Sequence, residues 1–237
     1  LSVMSCSQPS PHPGFPIQHG YSCGLVCHDG LVVFEYPDNN WIIGAANSHS
    51  IALYTLEGSL LPGWEQSIPQ NLYFTYGIAA GDLTGDSVPE IVAAARTPTA
   101  TQRKIFVWNI EGQLLLDYEV DLGMKMKSPI LADLDSNGIY EIVYSSDSIH
   151  AIQIDGTEFP GFPRGWDNDG PAFKGGLVVY DINNNNIPDI VWNSDTQLHA
   201  WELNAAAELP GFPIPELYEV DSGTPPIVIP VSGENYI

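Results

Sequence analysis

The stretch Asp82-Leu-Thr-Gly-Asp-Ser-Val-Pro-Glu90, followed directly by Ile91-Val92, belongs to a repeated motif whose spacing decides the fold. Oxygen-bearing side chains alternate with other residues, and an acid closes the motif before a hydrophobic run begins. The further copies are Asp133-Leu-Asp-Ser-Asn-Gly-Ile-Tyr-Glu141 before Ile142-Val143 and Asp181-Ile-Asn-Asn-Asn-Asn-Ile-Pro-Asp189 before Ile190-Val191. The chain therefore carries three copies of one acidic loop, and each copy leads into a predicted β-strand.

The alternation within these loops indicates a metal site. Positions 1, 3, 5 and 9 carry a side-chain oxygen, and position 7 can offer its backbone carbonyl. Ca²⁺ takes about six to eight oxygen ligands in tolerant geometry, whereas Mg²⁺ demands a stricter octahedron. The sequence therefore predicts three calcium sites, with these candidate ligands: Asp82, Thr84, Asp86, Val88 and Glu90; Asp133, Asp135, Asn137, Ile139 and Glu141; Asp181, Asn183, Asn185, Ile187 and Asp189.

A single Asp- and Asn-rich stretch is typical of an ordinary polar turn. Three copies in phase, each closed by an acid, favour calcium instead. An EF-hand is disfavoured because no helical pattern flanks the loops and the acid closes at position 9. Position 6 should turn sharply, which suits Gly138 and Asn186 better than Ser87. The third loop has only Asp181 and Asp189 as carboxylates, so we expect it to bind calcium most weakly.

Other landmarks repeat with the same period. The loops begin 51 and 48 residues apart. Pro-Gly-aromatic turns recur at 13–15, 62–64, 160–162 and 210–212, and polar-Gly turns recur at 57–58, 111–112 and 155–156, with a worn copy at 204–205. A period near fifty residues with about four strands is typical of a propeller blade. We therefore predict an all-β fold, a β-propeller of four-stranded blades.

Two further copies have lost their spaced acids. The segments 34–42 and 229–237 occupy the loop position in the first and last repeats, and we expect short hairpins without metal there. The chain then holds about four repeats plus part of a fifth. We expect a fragment of a larger propeller, and the alternative is a ring completed by another chain. Residues 1–12 are a leader or the end of a preceding blade, and residues 13–237 form the repeats.

The segment Tyr76-Gly-Ile-Ala-Ala-Gly-Asp-Leu-Thr-Gly-Asp-Ser-Val-Pro-Glu-Ile-Val92 resembles the integrin-α-type FG-GAP and VCBS repeats. The endings at 155–163 and 204–213 are similar to those of secreted microbial members. The likeness covers roughly residues 13–237. It implies four-stranded blades with calcium in the loop between a blade's first and second strands. Members of this family are mostly extracellular adhesion receptors, lectins and domains of secreted enzymes, a few of them lyases.

The net charge of the chain limits the classes of binding partner that we expect. The chain has 29 acidic against 7 basic residues, a net charge of −22. Nucleic acid and anionic membrane surfaces both need basic residues, so we expect neither as a partner. No apolar run of about 18 residues exists, so no membrane span is expected. Millimolar free calcium outside cells suits loops of this modest charge, which predicts a secreted or cell-surface location.

No nucleophile elbow, phosphate loop or His-Glu-x-x-His motif is present in the sequence, so we expect no enzyme. The prediction is a non-catalytic extracellular module for adhesion, ligand binding or assembly, with a protein or glycan ligand. Trp41, Trp64 and Trp166 are loop-placed candidates for stacking a sugar. The alternatives are a subunit that self-assembles into an extracellular polymer and a domain of a secreted polysaccharide-active enzyme.

The cysteines and the N-terminus stay ambiguous. Cys6, Cys23 and Cys27 make an odd number, which fits a disulfide involving Cys6 or buried thiols better than a haem or zinc site. The run Val3-Met-Ser-Cys6 is vaguely similar to the end of a lipoprotein signal, and a disordered leader is the alternative.

Overall fold

The computed structural model describes residues 30–37, 40–120, 128–146, 148–164, 176–193, 197–203, 207–215, 229–231 and 234–236. This part of the chain forms strands and turns without a helix, which confirms the all-β prediction. None of its segments is a helix long and apolar enough to cross a membrane. The predicted leader, the three cysteines and Trp166 lie outside the described residues.

The strands group into sheets in chain order. The first sheet contains β1 (Gly30–Tyr36), β2 (Asn40–Ala46), β3 (Ser50–Thr55) and β4 (Gln66–Ser67). The second contains β5 (Tyr73–Gly81), β6 (Glu90–Arg96), β7 (Arg103–Trp108) and β8 (Leu114–Val120). The third contains β9 (Ile130–Ala132), β10 (Glu141–Ser145) and β11 (Ile149–Ile152). The fourth contains β12 (Leu177–Tyr180), β13 (Asp189–Asn193), β14 (Gln197–Glu202) and β15 (Ile214–Pro215), and a final pair contains β16 (Ile229–Val231) and β17 (Glu234–Tyr236).

Each sheet is an antiparallel meander in which a strand pairs with its neighbours in sequence. The third sheet has three named strands, and an isolated bridge pairs Ile149 of its last strand with Arg164. The acidic loops join β5 to β6, β9 to β10 and β12 to β13. In each of these sheets the loop therefore lies between the first and second strands.

Consecutive sheets pack face to face because the buried strands alternate between two apolar faces. In β6, the side chains of Ile91, Ala93 and Ala95 join a cluster with Phe34 and Ile42 of the first sheet. On the opposite face of β6, Val92 and Ala94 pack in a cluster with residues of the third sheet. A further cluster joins the third sheet to the fourth. Three apolar layers thus separate the four sheets along the chain.

The turns match the sequence landmarks. Gly58, Gly112 and Gly156 all have positive φ in tight polar turns. Gly63, Gly161 and Gly211 have positive φ at the centre of the Pro-Gly-aromatic turns. The two degenerate copies are hairpins as predicted: β1 pairs with β2 through Tyr36 and Asn40, and β16 pairs with β17. Residues 13–15 and 204–205 lie outside the described part of the chain.

The first and second sheets meet tightly at two of these turns. A Cβ on Gly63 would lie 2.3 Å from the carbonyl oxygen of Glu111, and one on Gly112 would lie 2.4 Å from that of Gly63. Beside this contact, Trp64 Nε1 donates a hydrogen bond of 2.6 Å to the carbonyl of Ile110. The two turns therefore form one junction that only glycines fit.

Candidate metal centres

The aspartate at position 1 organises each acidic loop by accepting hydrogen bonds from loop amides. In the first loop, Asp82 Oδ1 accepts from the amides of Thr84 at 3.2 Å and Gly85 at 2.7 Å. Asp82 Oδ2 accepts from the amide of Ser87 at 2.7 Å. One carboxylate thus bends the backbone around itself, which satisfies loop amides that no strand pairs.

In the second and third loops the aspartate at position 1 again accepts from the position 6 amide, and it also accepts from the position 5 amide in place of the position 3 and 4 amides of the first loop. Asp133 accepts from the amides of Asn137 at 3.0 Å and Gly138 at 2.9 Å. Asp181 accepts from the amides of Asn185 at 3.0 Å and Asn186 at 2.7 Å. The three loops therefore share the hydrogen bond from the position 6 amide to the carboxylate at position 1.

Two residues in each loop adopt the left-handed conformation. Position 6 does so in all three copies, as predicted, with φ of 67° at Ser87, 89° at Gly138 and 66° at Asn186. Position 4 does so as well, with φ of 80° at Gly85 and 61° at Ser136. Position 4 was missed from the sequence, although Gly85 and Asn184 are residue types that tolerate this conformation.

The residues predicted at positions 3 and 5 lie on the exposed turn of each loop, whereas position 7 is half-buried in every copy. The position 5 oxygen accepts from the position 7 amide in every copy: Asp86 from Val88 at 2.8 Å, Asn137 from Ile139 at 2.7 Å, and Asn185 from Ile187 at 2.8 Å. Position 3 accepts from the position 5 amide in two copies, through Asp135 and Asn183. In the first loop, Thr84 contributes its backbone amide to Asp82.

The closing acid of each loop is buried and reaches back to the start of the loop. Glu90, Glu141 and Asp189 are 2%, 1% and 0% exposed. One carboxylate oxygen of each accepts from the amide that follows position 1: Leu83 at 2.8 Å, Leu134 at 2.9 Å and Ile182 at 2.9 Å. Positions 1 and 9 are thereby held at the same end of the loop.

Burial makes these closing acids unfavourable as bare anions. Burial raises the pKa of Glu90, a backbone hydrogen bond from Leu83 opposes the rise, and the carboxylates of Asp86 and Asp82 add to it. The pKa of Glu141 is raised by burial and by its neighbours Asp135 and Asp133. Burial likewise raises the pKa of Asp189. Each loop therefore concentrates negative charge around a buried carboxylate, where a cation would stabilise it.

The donor atoms of the loops are of the chemical kind that calcium takes. Asp189 Oδ1 is buried without a hydrogen-bond partner, so one carboxylate oxygen of the third loop has an unmet need that a cation would satisfy. The other candidates are carboxylate, amide and hydroxyl oxygens, the hard ligands that calcium takes. Within the described residues, no three Asp, Glu, His or Cys side chains converge on one point.

The structure adds a residue that the sequence pattern did not single out. Glu202 on β14 is the cross-strand partner of Asp189, and its Oε2 accepts 2.6 Å from Asn185 Nδ2 in the third loop. Its negative charge contributes to the raised pKa of Asp189. The third loop therefore has a third carboxylate nearby, which the spacing within the loop could not reveal.

The three tryptophans proposed for sugar stacking have different outcomes. Trp64 is 4% exposed and bonded to Ile110, so its prediction as an exposed platform is wrong. Trp41 is 45% exposed at the start of β2. Trp166 lies outside the described residues.

No protein-family model and no curated protein matches the chain. Among solved structures, a protein of unknown function from Bacteroides caccae shares 10% sequence identity with it. That match covers 90% of this chain and 70% of the other, with a TM-score of 0.47.

Proposed function

We propose that the chain is a calcium-stabilised β-propeller of the FG-GAP/VCBS type, or a section of one, that serves outside the cell as a binding or assembly module. One observation carries the calcium assignment: three loops repeat one hydrogen-bond pattern, and each closes on a buried acid. A polar turn needs no such acid, because exposed side chains can satisfy its amides.

The propeller arrangement rests on the order of the sheets. Meanders of three or four strands follow one another along the chain, and consecutive sheets share an apolar layer. Each acidic loop joins the first two strands of its sheet, which is where FG-GAP-type repeats carry calcium. Radial repetition of four-stranded sheets is the propeller architecture.

Calcium has a structural role in this proposal. When bound, the ion supplies positive charge to carboxylates that burial otherwise destabilises. The residues that would hold it are the oxygen donors at positions 1, 3, 5, 7 and 9 of each loop. Asp82, Asp133 and Asp181 also hold the backbone turn, because they accept hydrogen bonds from backbone amides of the loop. The chain's own hydrogen bonds thus preorganise the loop.

The acidic composition supports an extracellular binding role. A net charge of −22 favours solubility and attraction of cations. The proposed partner is a protein or a glycan, and the proposed role involves no catalysis.

Thermal unfolding with and without calcium tests the proposal. The metal-stripped chain is melted in EDTA and in excess CaCl₂, with MgCl₂ at equal ionic strength as the control. Binding to the folded state alone stabilises it by about 2.7 kcal/mol per site at a hundredfold excess over Kd. We expect a clear rise in Tm with calcium and a smaller one with magnesium. An identical melting curve in EDTA and in calcium would overturn the assignment.

Calorimetric titration then counts the sites. We expect three calcium ions per chain, one for each acidic loop. Single variants Glu90→Gln, Glu141→Gln and Asp189→Asn should each remove one ion. Glu119→Gln is the matched control, because Glu119 is an exposed carboxylate on β8 away from the loops. Loss of calcium binding by this control to the same extent would show that general negative charge, not the loops, attracts the ion.

A further inference from the structure

A cleft of about 500 Å³ lies beside the junction between the first and second sheets. Its walls come from the β1–β2 hairpin, the segments 55–57 and 61–62, and the turn that follows β7. The lining includes Trp41 and Tyr36 as aromatic residues, Glu57 and Glu111 as acids, and Asn40 and Thr55 as neutral polar residues. The acidic loops contribute no residue to this lining.

The cleft walls are fixed by the glycine junction. Gly63 and Gly112 bring the two turns into direct backbone contact, and the hydrogen bond from Trp64 to Ile110 lies beside them. Ile110 and Glu111 line the cleft directly. A binding site on such a packed junction needs little rearrangement before it accepts a ligand.

The chemistry of the cleft is aromatic and negative. Trp41 exposes 45% of its surface, and Glu57 and Glu111 are exposed acids. The lining residues, all within the described part of the chain, include no lysine, arginine or histidine.

We propose that this cleft binds a cationic side chain, an arginine or a lysine, on a basic peptide segment of a partner protein. Trp41 is the face on which the cation stacks, since a cation above an indole ring is attracted by the ring quadrupole. Glu57 and Glu111 supply the opposing negative charge. This inference names the partner chemistry of the proposed binding module, and it does not depend on the calcium loops.

Charge decides between this ligand and a sugar. A carboxylate accepts hydrogen bonds from a neutral sugar hydroxyl, whereas a cation adds a Coulomb attraction to both carboxylates and an attraction to the ring face of Trp41. An anionic sugar would be repelled by both acids and by the net charge of −22. The same net charge steers a basic segment toward the protein.

The test uses two peptides that differ only in charge. One is acetyl-Gly-Gly-Arg-Gly-Gly-amide, and the other carries citrulline, a neutral isostere, in place of arginine. Binding of each to the full chain is measured in CaCl₂ by calorimetry and by chemical-shift changes of the tryptophan indoles. We expect the arginine peptide to bind at least about threefold more tightly than the citrulline peptide.

Variants locate the site. Trp41→Ala should weaken binding of the arginine peptide by about threefold or more, since it removes the stacking face. Glu57→Gln and Glu111→Gln should each weaken it by about two- to fivefold. Glu119→Gln removes the same charge from β8 outside the cleft and should leave the affinity unchanged. Leu114→Ala is the control for loss of an exposed apolar side chain elsewhere.

Three results would overturn the proposal: equal affinity for the two peptides, no effect of Trp41→Ala, or an equal loss in Glu119→Gln. Binding of neutral disaccharides in place of the arginine peptide would assign the cleft to a glycan and also overturn it. The calcium-dependent Tm is measured in the same samples. If that shift persists while peptide binding fails, the cleft assignment fails alone and the calcium-stabilised scaffold stands.

Discussion

At the scale of single residues, burial has two opposite consequences for the closing acids of the loops. Glu90 is buried beside two other carboxylates, which raises its pKa and makes its anion unfavourable. The same crowding makes it a strong partner for a cation. In the proposed calcium site, a residue of this kind would weaken the metal-free fold and strengthen the metal-bound one.

The effect of Glu90→Gln on stability should therefore have opposite signs in EDTA and in calcium. In EDTA it removes a buried charge while the glutamine oxygen can still accept from the amide of Leu83, so we expect equal or higher stability. In calcium it loses a ligand, so we expect a lower Tm than the parent chain. Denaturant unfolding in both media measures this crossover. A loss of equal size in both media would mean that the acid acts only through its hydrogen bond.

Gly112→Ala tests the sheet junction. The new Cβ would lie 2.4 Å from the carbonyl oxygen of Gly63, and φ there is +82°. We expect a loss of at least about 2 kcal/mol in unfolding free energy. Gly156→Ala is the matched control, because it has φ of +83° but its nearest neighbour is the Tyr118 ring at 3.2 Å. Equal losses in the two variants would attribute the effect to backbone conformation alone.

Much of each loop could be predicted at this scale because its contacts are local. Asp82 bonds amides no more than five residues away, and Glu90 bonds an amide seven residues away. Such contacts follow from a short motif. The left-handed residue at position 4 was missed because Ser136 does not reveal it, whereas Gly85 does.

At the scale of elements, neighbouring loops lie against each other. The carbonyl of Asp82 accepts from the amide of Tyr140 at 2.8 Å, which links the first loop to the second. A Cβ on Gly85 would lie 2.9 Å from the side chain of Ile139. Because these two loops share a backbone contact, an ion bound in one loop, as proposed, would also limit the motion of the other.

Glu202 on β14 adds a negative charge beside the third loop. We expect Glu202→Gln to weaken the weakest calcium-binding step by about fivefold, because a nearby negative charge is lost. Glutamine can still accept from Asn185 Nδ2, so the loop's hydrogen bond survives. Calorimetry resolves the effect, with Glu119→Gln as the control for charge. An unchanged weakest step would show that Glu202 only positions Asn185.

Contacts between elements explain what the sequence could not provide. Trp64 lies in a turn, where tryptophan is expected to be exposed, yet its ring packs into the apolar cluster between the first two sheets and bonds to Ile110, 46 residues away. Glu202 is 17 residues from Asn185 and reaches it only through the pairing of β13 with β14. No pattern within one repeat shows which side chains another element will cover.

At the scale of the whole molecule, four sheets stack in chain order with an apolar layer between each pair. The periodicity predicted these sheets because the turn and loop landmarks recur within each repeat. The prediction of short hairpins in place of acidic loops at 34–42 and 229–237 is confirmed for the same reason.

The pH dependence of stability should differ between metal-free and calcium-bound protein. The folded chain raises the pKa of Glu90, Glu141 and Asp189, so it binds protons more readily than the unfolded chain. The free energy of unfolding in EDTA therefore falls as pH rises from the ordinary carboxyl pKa through the raised values. In calcium the trend should reverse, because protons compete with the ion for the same oxygens.

Melting curves at about pH 5 and about pH 7 check this prediction in each medium. In EDTA we expect the higher Tm at the acidic pH, and in calcium at neutral pH. A chain in which Glu90, Glu141 and Asp189 are all replaced by their amides should lose most of both trends. Parallel slopes in the two media would indicate that titration elsewhere on the acidic surface dominates.

The second loop contains an Asn-Gly sequence, Asn137-Gly138, which is prone to deamidation. Asn137-Gly138 is the kind of sequence in which the glycine amide nitrogen attacks the asparagine side chain and releases ammonia. In the folded loop that nitrogen donates to Asp133, and Asn137 Oδ1 accepts from Ile139, so neither group is placed for the reaction. Ageing in EDTA should therefore deamidate this loop faster than ageing in calcium, which peptide mass spectrometry can follow. The turn that gathers the loop oxygens would then also preserve the chain's covalent integrity.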